Sequence, residues 1–100
     1  MTPEKKVKTA VVKILKEHFG LYYFYPVAGG FGSAGIPDIV GCYNGVFFAI
    51  ECKAGKGKTT ALQEKNLKQI RDSGGRAIVV REDNLHDVEA MLDSIATYGG

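Results

Sequence analysis

Several things are missing from this sequence, and each absence narrows what the protein can be. In 100 residues that are 45% hydrophobic and 24% charged, no apolar run approaches the roughly 20 residues a membrane-crossing helix needs. No GxxxxGK[ST] phosphate loop is present, so ATP is not expected. No His–Cys spacing of the zinc-site kind occurs, and His18 and His86 read as incidental. Met1 leads directly into a charged, periodic segment rather than a secretory signal, so an intracellular protein is the expectation. Repeats, linkers and low-complexity stretches are also lacking, and one domain spanning residues 1–100 is expected. Lys and Arg are absent beyond residue 81. Residues 1–81 hold all 13 of them against six acids, a balance of +7, whereas residues 82–100 hold five acids alone. A polyanion would therefore meet the first four-fifths of the chain, with the last segment facing away, unless these charges are plain solvated surface.

What is present reads as an alternation of helices and strands. Thr2-Pro3-Glu4 has the chemistry of a helix start, and Val7, Ala10, Val11, Ile14 and Leu15 recur at helical spacing up to Gly20. Leu21 to Tyr25 predicts an aromatic strand stopped by Pro26; its rings could stack bases, though such a strand is more often core. Ala28 to Gly35 holds four glycines and predicts a loop. Asp38 to Tyr43 and Val46 to Lys53 predict two strands about Asn44-Gly45, the strongest short hairpin signal in the chain. A basic loop, Ala54 to Lys58, follows. Thr60 to Gln63 fits a capping box, opening a helix with Leu62, Leu67 and Ile70 inward. Arg76 to Arg81 encloses a short buried strand, and Asn84 can cap a last helix carrying Leu85, Val88, Met91, Leu92 and Ile95. The order is αβββαβα.

The hairpin brings charges together. A two-residue turn at Asn44-Gly45 pairs Tyr43 with Val46, and counting outward opposes Asp38 to Glu51. Facing residues of an antiparallel pair project from one face, about 5 Å apart at Cβ. Two carboxylates so placed repel unless a cation lies between them, and hard oxygen ligands suit Mg²⁺ or Mn²⁺. Lys53 follows Glu51 in phase. The alternative is a pair of strand-end acids reaching solvent. The same register sets Cys42 and Cys52 about 17 Å apart on opposite faces, so they are expected to be reduced core thiols.

Ile36-Pro37-Asp38, twelve residues, then Glu51-Cys52-Lys53 resembles the signature of PD-(D/E)xK nucleases. More narrowly, the chain resembles the VRR-NUC family, the virus-type replication-repair nucleases, through Glu4, Gly35 to Gly41, Glu51 to Ala54, Gln63-Glu64-Lys65, and Gly75 before Ala77 to Val80. The architecture is also similar to archaeal Holliday junction resolvases. The resemblance implies an α/β fold with a restriction-endonuclease-like core and a mixed sheet flanked by helices. It implies a structure-selective DNA endonuclease using Mg or Mn, with metal held by Asp38, Glu51 and the backbone carbonyl of Cys52. Lys53 would orient water or offset phosphate charge, and Glu4 and Gln63 would stand at the site. Both also have plain readings as helix-terminus residues. Small viral members act as homodimers, so a homodimer on branched DNA, in a host cytoplasm if viral or phage-encoded, is implied too.

Lys56, Lys58, Lys65 and Ser33 are the candidate nucleic-acid contacts, with Lys68 and Arg71 more plausibly a solvated helix face. The competing function is a junction-binding module that does not cut. A degenerate module of that kind would typically lack Asp38, Glu51 or Lys53, and all three are here. A sequence-specific restriction enzyme has little room for a recognition region in 100 residues.

Overall fold

A computed structural model of the protein describes residues 1–27 and 34–99. Its elements are α1 (Pro3–Lys16), β1 (Leu21–Phe24), β2 (Ile39–Tyr43), β3 (Val46–Cys52), α2 (Ala61–Asp72), β4 (Arg76–Val80) and α3 (His86–Tyr98), the expected order. The strands form one sheet in the order β1-β2-β3-β4. β1–β2 and β2–β3 are antiparallel, and β3–β4 is parallel. A parallel pair cannot be joined by a tight turn, and α2 supplies the crossover. Most of the expected glycine loop, with Ser33 in it, lies outside the described residues.

The hairpin turn follows its sequence. Asn44 has φ 52° and Gly45 has φ 79°, the two positive values a type I′ turn demands. The ladder then runs Tyr43↔Val46, Cys42↔Phe47, Gly41↔Phe48, Val40↔Ala49 and Ile39↔Ile50, the register expected from the turn. β2 begins at Ile39 rather than Asp38, because the chain bends at Asp38. β3 ends at Cys52 rather than Lys53, and β1 at Phe24 rather than Tyr25.

Alternation splits the core in two. Ile39, Val46, Phe48, Ile50, Cys52 and Val80 face α1 and α3, meeting Val7, Val11, Leu15, Val88, Leu92 and Ile95. Val40, Ala49 and Ala77 face α2 and meet Leu67. The first layer is the larger, and fully burying a side chain such as Phe48 is worth about 1.5–3 kcal/mol.

Several helix details differ from expectation. In α1 the buried stripe is Val7, Val11, Val12 and Leu15, with Ile14 only partly buried. The helix stops at Lys16 with Glu17 as its cap, and Gly20 instead turns the chain into β1. Leu62 is half exposed because the first turn of α2 lies over Gly35 rather than over the core. Asn84 does not cap α3, whose cap position is Leu85. Its side chain ties the preceding turn instead, accepting from the Arg81 N–H and donating to the Val79 carbonyl and Asp87.

Among the described residues, none covers the α2 side of the sheet toward β1. Cys42 is exposed, so only Cys52 is a core thiol; both are free. Tyr22, Phe24 and Phe47 beside Cys42 are also exposed, so the aromatic strand is core only on its other face.

Candidate active site

The end of the central hairpin nearest α2 gathers the acids. Asp38 sits one residue past the last ladder pair, opposite Glu51. Its carboxylate accepts the Cys52 N–H at 2.8 Å. Alternation explains this contact. The Lys53 N–H goes to the Val80 carbonyl across β4, so the amide of Cys52 faces the β2 side, where the ladder has ended and Asp38 takes its place. The N-terminus of α1 brings Glu4 to the same point. One oxygen from each of Glu4, Asp38 and Glu51 lies within 4.8 Å of the others.

Glu51 is the buried member, 2% exposed. Its Oε2 accepts from Gln63 Nε2 at 3.0 Å and lies 3.5 Å from Lys53 Nζ. Its Oε1 is buried without a hydrogen-bond partner among the described residues. Burial first, and the neighbouring Asp38 charge second, push the carboxyl up to about 7 against the opposing pull of Lys53, with Glu4 adding a little. A buried carboxylate with one orphaned oxygen, grouped with two further carboxylates, is the geometry of a cation site, and the all-oxygen donor set fits a hard divalent ion. The Cys52 thiol is held up to about 12 by burial and then by Asp38 and Glu51, which disfavours the thiolate.

Gln63 joins both of the roles open to it in the sequence. Thr60 and Gln63 close a capping box: the Thr60 hydroxyl accepts the Gln63 N–H, and Gln63 Oε1 accepts the Thr60 N–H at 2.9 Å. The remaining amide nitrogen is thereby aimed at Glu51. The helix cap fixes which end of the amide meets the carboxylate.

Other candidates are placed differently. Lys56, Lys58 and Lys65 are exposed, and Ser33 is outside the described residues. Lys68 pairs with Asp72 at 2.6 Å. Arg71 points its guanidinium at the Ala77 carbonyl, tying α2 to β4. Glu82 does not face away from the basic loop as the charge pattern implied; it accepts the Gly55 N–H, while Arg81 donates to the Gly57 carbonyl. Together they pin the loop that follows Lys53. His18 bridges the Ile14 carbonyl and Glu89 as a structural residue.

Gly35, in the glycine segment, has a packing reason. At φ 87°, a Cβ there would come within 2.6–2.8 Å of the Leu62–Gln63 backbone. Lys5 and Lys8, not among the candidates named from the sequence, line the cavity holding Glu4, Asp38 and Cys52. The i,i+4 spacing of Lys8 from Glu4 was the available signal.

The αβββαβα order and the helix-flanked mixed sheet define the class: an α/β protein with a restriction-endonuclease-like core. The family model for archaeal Holliday junction resolvase (hjc) matches residues 5–90, and the chain belongs to that family. The family is one of structure-selective nucleases of the PD-(D/E)xK kind. The match does not extend to the VRR-NUC family specifically. No curated protein matches the chain.

Proposed function

We propose that the protein is a divalent-metal-dependent endonuclease that hydrolyses phosphodiester bonds in branched DNA, four-way junctions above all. The observation that carries this reading is the meeting of Glu4, Asp38 and Glu51 around an unsatisfied buried oxygen, beside Lys53. Asp38 and Glu51 would hold Mg²⁺ or Mn²⁺, with Glu4 at the open side. The Cys52 carbonyl is a further candidate: the Lys53 N–H of the same peptide goes to Val80 on β4, which leaves that carbonyl on the β2 side with Asp38. Such an ion supplies Lewis-acid charge and lowers the pKa of a bound water.

The side chains divide the remaining work. Lys53, held at Glu51, presents its ammonium where a water or an anionic phosphate oxygen would lie and offsets developing charge. Gln63 fixes the Glu51 carboxylate by one oxygen and leaves the other free. Asp38 is oriented by the Cys52 N–H. Lys56, Lys58 and Lys65 are free to meet flanking phosphates.

The closer kinship to VRR-NUC nucleases, and with it a viral or phage source and host cytoplasm, rests on the motif runs alone. A homodimer is part of the proposal. It is supported by the exposed, contiguous face of Tyr22, Phe24, Cys42 and Phe47, since apolar area of this kind marks contact surfaces, and two-fold dimers are the commonest oligomers. Two sites related by a two-fold axis suit a junction with paired strands.

The test is incubation with single-stranded, duplex, flap and four-way-junction DNA in Mg²⁺, Mn²⁺ or EDTA. Cleavage of the junction with either metal and none in EDTA is expected. Tight junction binding with no cleavage under any metal would replace the enzyme with a binding module.

A further inference from the structure

A groove runs along α1 away from the carboxylate cluster. It encloses about 710 Å³ and is walled by Lys5, Lys8, Lys13 and Lys16 on the helix and Tyr25 opposite. Lys5 and Lys8 also wall the cavity that holds Glu4, Asp38 and Cys52, so the two spaces adjoin along α1. The lysines recur at three- to five-residue spacing and therefore line one helix face. None of the four forms an ion pair among the described residues, and residues 28–33 contain no acid. Glu17 at the far end is the one acid in the lining. Tyr25 is half exposed, with Lys8 Nζ 4.4 Å from its ring centroid.

We propose that this groove is the track for one nucleic-acid strand leaving the candidate cleavage centre, with the α1 lysines on its phosphates and Tyr25 against a base. The proposal rests on the nuclease reading for the identity of the centre, but its own evidence is the groove. From Lys5 to Lys16 the helix rises about 16 Å, the length of roughly five nucleotide steps at 3.4 Å. A row of cations one helical turn apart, with aliphatic stems forming the walls, matches an evenly charged polyanion with apolar bases. The aromatic ring supplies a stacking surface that reads no sequence, as a structure-selective enzyme requires. The flanking strand therefore lies along α1, in a groove whose lining does not include the Lys56–Lys58 loop.

Lys13 and Lys16 are the residues to test, because they stand two to three turns from Glu4 and touch none of the acids. In K13Q/K16Q the affinity for four-way-junction DNA in EDTA should fall at least tenfold at about 0.1 M salt. The slope of log K against log salt should become shallower by about 1.8, at 0.9 per lost phosphate contact. Junction KM should rise with kcat unchanged, and hydrolysis of a small aryl phosphodiester, too short to reach the groove, should be unchanged. K13R/K16R should restore binding, and a melting temperature of K13Q/K16Q within a few degrees of wild type separates strand contact from loss of the helix-end charge these residues also provide. The charge-matched variant K6Q/K68Q, outside the groove, should change affinity less than twofold. Equal effects of the two double variants, or an unaltered slope in K13Q/K16Q, would overturn the track, as would absence of DNA binding by the wild type or groove-dependent binding of an acidic peptide in its place. Groove-dependent binding by a wild type that cuts nothing would sink the nuclease reading and leave the track standing.

Discussion

Glu51 holds a carboxylate where water cannot reach it, with one oxygen bonded and the other bare. Its carboxyl, pushed up to about 7 from an ordinary 4.5, has a consequence for stability. Between those values the folded metal-free protein keeps a proton on Glu51 that the unfolded chain has released. Stability from this group is therefore full in acid, falls as pH rises through the window, and stays lower above it. Glu51→Gln removes the penalty. In EDTA the variant should melt above wild type at pH 8, with the gap closing near pH 4.5. Added Mn²⁺ should raise the wild-type melting temperature and leave Glu51→Gln nearly unmoved. Thermal melts across pH check both, and a gap that widens toward acid would contradict the assignment of strain to this carboxylate.

At the scale of elements, two local structures aim the site from a distance. The capping box of α2 spends one end of Gln63 on the helix and the other on Glu51. Thr60→Ala should cost about 1 kcal/mol of stability with cleavage nearly intact. Gln63→Glu keeps an acceptor for the Thr60 N–H but loses the donor to Glu51, so cleavage should fall tenfold or more while the helix stays capped. Equal loss of activity in both variants, measured on junction DNA, would mean that Gln63 acts only through the helix.

The Asn44-Gly45 turn is the second device, five residues from the acids. Replacing both with valine forces β-branched residues into positive φ and should destabilise by a few kcal/mol while weakening Mn²⁺ binding; Asp-Gly should preserve both. Metal titration by calorimetry distinguishes the cases, and unaltered binding in the valine variant would show that register does not set the site.

These elements also show what a sequence can and cannot display. The turn residues, the count from them to Asp38 and Glu51, and the phase of Lys53 are all local facts, and the ladder follows them pair by pair. The capping role of Gln63 was equally legible. The Gln63–Glu51 contact was not legible from the capping pattern, because it depends on how α2 crosses the sheet; only the family resemblance placed Gln63 there. Asn84 was misread because its side chain had nearer backbone partners in the β4–α3 turn than the helix end. Cys42 and the β1 aromatics were read as core from their apolar character, which does not show how much of a sheet face a helix will cover. A 12-residue helix over small side chains covers only part of it.

At the scale of the whole molecule, that uncovered face predicts assembly. Light scattering at tens of micromolar should give a dimer mass for the wild type and a monomer mass for Phe24→Glu/Phe47→Glu, with the melting temperature little changed. A wild-type monomer that still cuts junctions would refute the dimer. The charge layout is also a whole-molecule property. The acid-only segment 82–100 is not simply a rear face, because Glu82 anchors the basic loop at Gly55. The proposed phosphate contacts therefore fall on two elements, α1 and the 56–58 loop.

The central claim is that Asp38, Glu51 and Lys53 form a metal-assisted cleavage centre, and single-turnover cleavage of a four-way junction by Asp38→Asn in saturating Mn²⁺ tests it most directly. Asn is nearly the same shape and can still accept the Cys52 N–H, so the fold should persist while the ligand charge is lost. The rate should fall at least about a hundredfold below wild type, with junction affinity in EDTA retained. Cleavage by Asp38→Asn at the wild-type rate would contradict the claim.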